Sequence, residues 1–234
     1  MNVSASPLGG ASANNRNRLG FIGDSEEGMD QPARKAHWEQ FYANHTEPEL
    51  SWFESVPSLS LELIRKSARG TGDSIVDVGG GSSRLVDCLL ADGYTSISVL
   101  DVSMRALAMA RERLGAAAGM VRWIESDVLE WNPPDGVDIW HDRAAYHFFT
   151  EEKDRAAYAR AASGAVRRGG ALIVTTFAID GPKSCSGLPA YRANTEMIAA
   201  DFAQAFDLAE SLIHDHHTPR GAVQRFQIAR LTRK

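Results

Sequence analysis

Between Ser74 and Phe177 short apolar runs alternate with segments whose apolar positions recur at three- and four-residue spacing. Ile75, Val76 and Val78 form a β-branched run that predicts a first strand. Leu85, Cys88 and Leu89 then fall at helical spacing up to about Asp92, with Gly93 placed to end that helix. A second strand follows at 96–100, ended by Asp101, and Ser103 is set to cap a helix running to about Leu114. Third and fourth strands are predicted at 121–124 and 137–140, the third ending near Asp127. Thr150 is the expected cap of an Ala-rich helix carrying Glu151, Glu152 and Asp154 in its first turn, where acids suit the helix dipole. Gly169-Gly170 is read as the turn into a fifth strand at 171–177. A helix over about 195–205 and two strands near 208–214 and 223–231 complete the pattern. Strand–helix alternation predicts an α/β fold: a doubly wound, mostly parallel seven-stranded sheet with helices on both faces. The turn at 218–221 is too short for a crossover helix, so the last strand must run antiparallel.

Residues 1–30 are rich in Gly, Ser, Asn and Ala without periodicity and are expected to be a disordered tail. A helix is predicted at 33–43, carrying His37, Trp38, Phe41 and Tyr42, then a loop with Pro48, Trp52 and Phe53. Pro57 is placed to start a further helix with Leu59, Leu63 and Ile64 on one side. The expected organisation is a single domain over 31–234, with a helical cap at 31–70 and the sheet core at 71–234.

With 234 residues the chain can bury one full α/β core. The net charge of −5 comes without a long basic stripe, so no nucleic-acid partner is expected. No apolar run approaches the roughly 20 residues that cross a bilayer, so no membrane partner is expected either. Two cysteines, Cys88 and Cys185, make no disulfide framework and point to a reducing cytoplasm. Arg16 and Arg18 among uncharged residues leave an organellar transit segment as an alternative.

The chemistry concentrates at the predicted strand ends, where open parallel sheets bind ligands. Gly79, Gly80 and Gly81 allow a sharp turn and close approach of backbone to a ligand, while Ser82 or Ser83 can cap the next helix. Asp77 is an acid inside a strand that otherwise reads as buried; a buried carboxylate needs a partner, so a hydrogen-bonding or cationic ligand is expected nearby. Asp101, followed by Val102, lies roughly 20 residues beyond the glycines, the spacing at which an acid meets ribose hydroxyls. Asp101 alone could equally be a helix cap, and Asp127 a solvated loop acid. A nicotinamide dehydrogenase shares the glycine turn and Asp101, but its Gly-x-Gly-x-x-Gly requires glycine where Arg84 stands.

Asp77-x-Gly79-x-Gly81 resembles the first motif of class I S-adenosylmethionine-dependent methyltransferases, a family that also ends its sheet with an antiparallel strand. The resemblance implies S-adenosyl-L-methionine as cofactor. Gly79, Gly81 and Ser83 would line its methionine portion, and Asp77 would help orient its ammonium. Asp101 and Val102 would face the ribose, and Asp127 and Val128 the adenine. His141 would sit in the turn nearest the methyl group.

His37-Trp38 to Tyr42, Ser51-Trp52-Phe53 and Trp140 to Phe149 resemble the thiopurine, thiol, halide and tellurite methyltransferase group, in which an N-terminal helix and an aromatic loop cover the cofactor. This places Trp38 and Trp52 over it and makes Asp142, Tyr146 and His147 candidates for acceptor contact or proton acceptance. The expected partner is a small molecule, with a protein-lysine acceptor or an inactive cofactor-binding protein as alternatives, and a monomer or homodimer as the assembly. The Asn-Pro-Pro of residues 132–134 precedes the fourth strand and reads only as a turn. The long segment 177–192, with Asp180, Lys183, Cys185, Tyr191 and Arg192, reads as a lid. His214, His216 and His217 lack the ligand set of a metal site, and no metal is expected.

Overall fold

The computed structural model describes Met1 and residues 31–234, so the predicted tail, apart from Met1, lies outside the described residues. Two helices, α1 (Gln31–Asn44) and α2 (Ser58–Ser67), precede the sheet, and α2 buries Leu61, Leu63 and Ile64 against it. Then follow β1 (Ser74–Val78), α3 (Leu85–Ala91), β2 (Ser96–Asp101), α4 (Met104–Leu114), β3 (Val121–Glu125) and β4 (Val137–Arg143). The chain continues with α5 (Glu152–Ala165), β5 (Val166–Phe177), β6 (Ser184–Cys185), β7 (Leu188–Pro189), α6 (Thr195–Phe202), β8 (Phe206–His217) and β9 (Val223–Arg233).

The main sheet runs β3-β2-β1-β4-β5-β9-β8. Its first five strands pair in parallel, whereas β9 is antiparallel to both β5 and β8. β6 and β7 form a separate small hairpin. Both faces of the parallel strands are covered, which is why they read as unbroken apolar runs. Val76, Trp140 and Leu172 pack on the face of α5 and α6, and Ile75, Ile139 and Ile173 on the face of α2 and α3.

Several boundaries differ from the sequence reading. Ser103 does cap α4, accepting from Ala106 N at 3.1 Å. The cap of α5 is Glu151 rather than Thr150, because the Glu151 carbonyl accepts the first helical bonds, from Asp154 N and Arg155 N at 3.1 Å. β5 begins at Val166, not at Ala171, so Gly169 lies within the strand at φ 75°. α6 ends at Phe202 because the next residues tighten, Ala205 N bonding to Phe202 O at 3.1 Å.

The difference that bears on function is β4, which continues to Arg143 instead of stopping at Trp140. His141 and Asp142 are therefore strand residues and point to opposite faces of the sheet. Register pairs Asp77 with His141 side by side.

Candidate active site

A cleft of about 1040 Å³, part of it open solvent, crosses the carboxyl ends of β1, β2, β4 and β5 where the strand order reverses. One half lies over β1–β2–β3 and is lined by Asp77, Gly79, Gly80, Ser83, Asp101, Val102, Asp127 and Val128. The other lies over β4–β5–β9 and is lined by Ala145, His147, Phe148, Phe177, Gln224 and Phe226. Trp38 from α1 and Trp52 from the following loop wall it, their rings 6.2 Å apart at centroid.

The glycine turn is built for close approach. Gly79 takes φ 64°, and a Cβ there would stand 2.6 Å from the Ala145 Cβ. A Cβ at Gly80 would stand 2.6 Å from Asp77 Oδ2 and 2.8 Å from Val99 Cγ1. Gly81 lies beside Asp101 and the Tyr42 hydroxyl. Ser83 Oγ accepts from Leu85 N at 3.2 Å, tying down the start of α3.

Asp77 and Asp101 are both buried at the floor. The partner of Asp77 is a side chain of the protein: His141 Nδ1 lies 2.8 Å from Asp77 Oδ1, and His141 Nε2 lies 2.9 Å from Ser60 Oγ on α2. Asp101 Oδ1 accepts from Ser103 N at 2.8 Å. Burial raises the Asp101 carboxyl to about 7, against the Ser103 and Gly81 amides, which favour its ionised form. Its helix-cap alternative is excluded, because Ser103 does that work. Asp127 accepts from Leu129 N at 2.9 Å and from Arg34 Nη2 at 2.5 Å, so α1 is pinned to the rim by an ion pair.

Four expected site residues are absent from the cleft lining: Gly81, set behind it beside Asp101 and the Tyr42 hydroxyl, and His141, Asp142 and Tyr146. His141 faces α2 and is buried against Asp77 and Ser60, not placed in a turn near a ligand. Asp142 points the other way, fully buried, accepting from Ala145 N at 2.8 Å, Tyr146 N at 3.0 Å and the Tyr158 hydroxyl. Burial raises its carboxyl to about 6, with those donors opposing the rise. Asp142 thus shapes the 144–146 turn, in which Ala144 takes φ 70°. Tyr146 is also fully buried and donates to Asp201 Oδ2 at 2.6 Å.

His147 does line the cleft. It is fully buried, and neither ring nitrogen has a hydrogen-bond partner among the described residues. It stacks on Phe177 at 4.8 Å and meets Phe148 edge-on at 4.3 Å. Burial alone pushes its imidazole down to about 3, so it is neutral at physiological pH. Cys185, on the β6–β7 hairpin, reaches the same half, but burial raises its thiol to about 11, which disfavours a thiolate nucleophile. Both ring nitrogens of His216 are engaged, by Glu54 Oε1 at 3.1 Å and Ser51 O at 2.8 Å, which separates it from any metal role with its histidine neighbours.

Arg34, Tyr42, Arg143, Phe177, Gln224 and Phe226 line the cleft without having been singled out in the sequence. The aromatic cluster on α1 was a signal for Tyr42, and the end of the fifth strand for Phe177. Gln224 and Phe226 carried none, since only the insertion of β9 beside β5 brings them there.

Residues 75–170, from β1 into β5, match a family model described as a methyltransferase domain. No curated protein matches by sequence. The fold is similar to solved structures at low identity. A structure from work on conversion of a disulfide bond into a thioacetal group in echinomycin biosynthesis is 18% identical, covers 86% of this chain and 93% of its own, and has a TM-score of 0.70. The N-methyltransferase NodS from Bradyrhizobium japonicum with S-adenosyl-L-homocysteine is 14% identical over 85% and 98%, with a TM-score of 0.64. Magnesium protoporphyrin IX methyltransferase from Synechocystis, also with S-adenosyl-L-homocysteine, is 14% identical over 85% and 93%, with a TM-score of 0.62.

Proposed function

We propose that this chain, which carries a methyltransferase domain and uses S-adenosyl-L-methionine, methylates a small molecule held in the β4–β5–β9 half of the cleft. The site residues fit the cofactor by their own chemistry. Gly79 and Gly80 leave the space a Cβ would fill, and buried Asp101 keeps Oδ2 facing the turn as an acceptor for ribose hydroxyls. Asp77, held by His141, presents negative charge at the end of β1 toward a ligand ammonium. When bound, the cofactor supplies a methyl group on a positively charged sulfur, an electrophile that needs no further activation. The protein's part is to align an acceptor and exclude water. Trp38 and Trp52 wall off solvent, and His147 and Gln224 are polar residues lining the acceptor half. The aromatic wall of that half would hold the acceptor with its lone pair toward the glycine turn, and a proton on the reacting atom would leave to solvent as the product departs.

The observation carrying the small-molecule reading is the covering of that half by the 184–189 hairpin, which brings Cys185 into the cleft wall. A lysine-bearing peptide calls for an open acidic groove there instead. The outer aromatic motifs support the same choice, as does their likeness to the thiopurine and tellurite group. Cys88 and Cys185 are both free thiols, consistent with the cytoplasm as the place of action. Calorimetry with S-adenosyl-L-homocysteine tests the cofactor, with binding expected. Transfer of labelled methyl is then compared over thiols, amines, phenols, oxyanions and protein extract. Label entering extract protein rather than small molecules would overturn the reading.

A further inference from the structure

From the lining of the acceptor half we infer the class of molecule it takes: an uncharged aromatic compound bearing an N–H or O–H, seated among Phe148, Phe177 and Phe226 with His147 as its polar contact. This rests on the methyl-transfer reading above and specifies its acceptor.

Aromatic rings run without interruption along this half. Trp38 meets Phe148 at 5.1 Å, Phe148 meets His147 at 4.3 Å, His147 meets Phe177 at 4.8 Å, and Phe177 meets Phe226 at 4.9 Å. Rings at these spacings form a wall that another ring extends by edge or offset contact.

Charge is scarce on this side. Asp77, Asp101, Asp127 and Arg34 belong to the β1–β3 half. Besides Arg34, the cation in the cleft lining is Arg143, and it is already engaged: Nη1 donates to Trp52 O at 2.9 Å and lies 3.6 Å from Glu54 Oε2. Glu54 Oε1 is in turn 3.1 Å from His216 Nδ1. A carboxylate or ammonium brought against these rings would lose its water without gaining a free counter-ion, a strongly unfavourable exchange.

His147 supplies what an uncharged polar group needs. Its neutral ring offers one N–H and one lone pair. Both nitrogens are buried with no hydrogen-bond partner among the described residues, and buried polar groups in folded proteins are nearly always matched. A ring amine or hydroxyl completes the match. Accepting the acceptor's proton in a hydrogen bond also aims its lone pair across the cleft toward the glycine turn.

The test is binding of three compounds that share a ring and differ in charge at neutral pH: aniline (neutral), 4-aminobenzoate (anionic) and benzylamine (cationic). Each is titrated into protein saturated with S-adenosyl-L-homocysteine, and quenching of Trp38 and Trp52 fluorescence is followed. Aniline is expected to bind about 10-fold or more tightly than either ion. Equal affinities, a preference for an ion, or no binding by aniline would overturn the inference.

His147→Phe keeps the ring stack and removes both nitrogens, so aniline affinity should fall about 10-fold. His147→Asn, which retains a donor and an acceptor, should recover part of that loss. Calorimetry should find S-adenosyl-L-homocysteine binding unchanged in both variants. If that binding falls together with the aniline affinity, His147 belongs to the cofactor half and the inference fails. Absence of S-adenosyl-L-homocysteine binding by the unaltered protein would instead remove the methyl-transfer reading itself.

Discussion

Asp101→Asn separates the cost of a buried charge from its use. The Asp101 carboxyl is raised from 3.8 to about 7 by burial, so its ionised form is disfavoured in the ligand-free fold by about 4 kcal/mol at about 1.4 kcal/mol per pH unit. The sign follows from proton counting. Between about pH 4 and 7 the folded protein keeps a proton on Asp101 that the unfolded chain has lost. Stability from this group is therefore full below about pH 4 and declines as pH rises through about 7. Asparagine has nearly the same shape and can still accept from Ser103 N, but it carries no charge to desolvate.

Denaturant unfolding of both forms should thus show Asp101→Asn gaining stability over the parent as pH rises, by up to about 4 kcal/mol above neutrality and by little near pH 4. S-Adenosyl-L-homocysteine binding should show the opposite preference. The parent should gain affinity, up to about tenfold per pH unit, as Asp101 ionises below about pH 7, because ribose hydroxyls donate best to a carboxylate. The variant should bind more weakly and without that slope. A stability difference that stays flat from pH 4 to above 7, or a parent affinity that does not rise over that interval, would refute the assignment of Asp101 as a buried acceptor for a ligand hydroxyl.

His141→Leu leaves Asp77 buried without its partner and should cost about 3–5 kcal/mol of stability by urea unfolding. Tyr158→Phe removes the hydroxyl that serves Asp142 and Trp140, and should cost about 1–3 kcal/mol by the same assay. Its affinity for S-adenosyl-L-homocysteine should be unchanged, since Asp142 supports the turn from outside the cleft. Gly79→Ala places a Cβ 2.6 Å from Ala145 Cβ at a positive φ, and should lose about 1–3 kcal/mol together with measurable calorimetric binding of S-adenosyl-L-homocysteine.

Much of this architecture was legible from local chemistry. The runs around Ile75, Val99 and Ile173 announce strands buried on both faces, and the short turn at 218–221 forces the antiparallel end. The lining of the β1–β3 half of the cleft was readable because Gly79, Asp101 and Asp127 sit at or just after strand ends. The β4–β5–β9 half was harder, because side-chain direction there depends on where β4 stops. Three more strand residues turn His141 toward α2 and Asp142 toward α5, converting two apparent loop ligands into internal supports. Asp77 misled in a related way: its need for a partner was real, but register supplied His141 from the neighbouring strand. Arg34 was missed because its contact with Asp127 spans 93 residues of sequence, which no local pattern encodes.

The position of β9 between β5 and β8 also sets an order of assembly during synthesis. Every other strand of the main sheet leaves the ribosome before β9, yet Gln224 and Phe226 of β9 complete the cleft. A nascent chain that has reached only β8 holds the glycine turn, Asp101 and Asp127 but leaves β5 and β8 with open edges, a ready template for pairing with another chain. The β1–β3 half of the cleft can thus form during translation, whereas the β4–β5–β9 half is completed only with emergence of β9. Stalling within 206–222 should therefore expose the chain to aggregation more than stalling earlier, before the second of these edges exists.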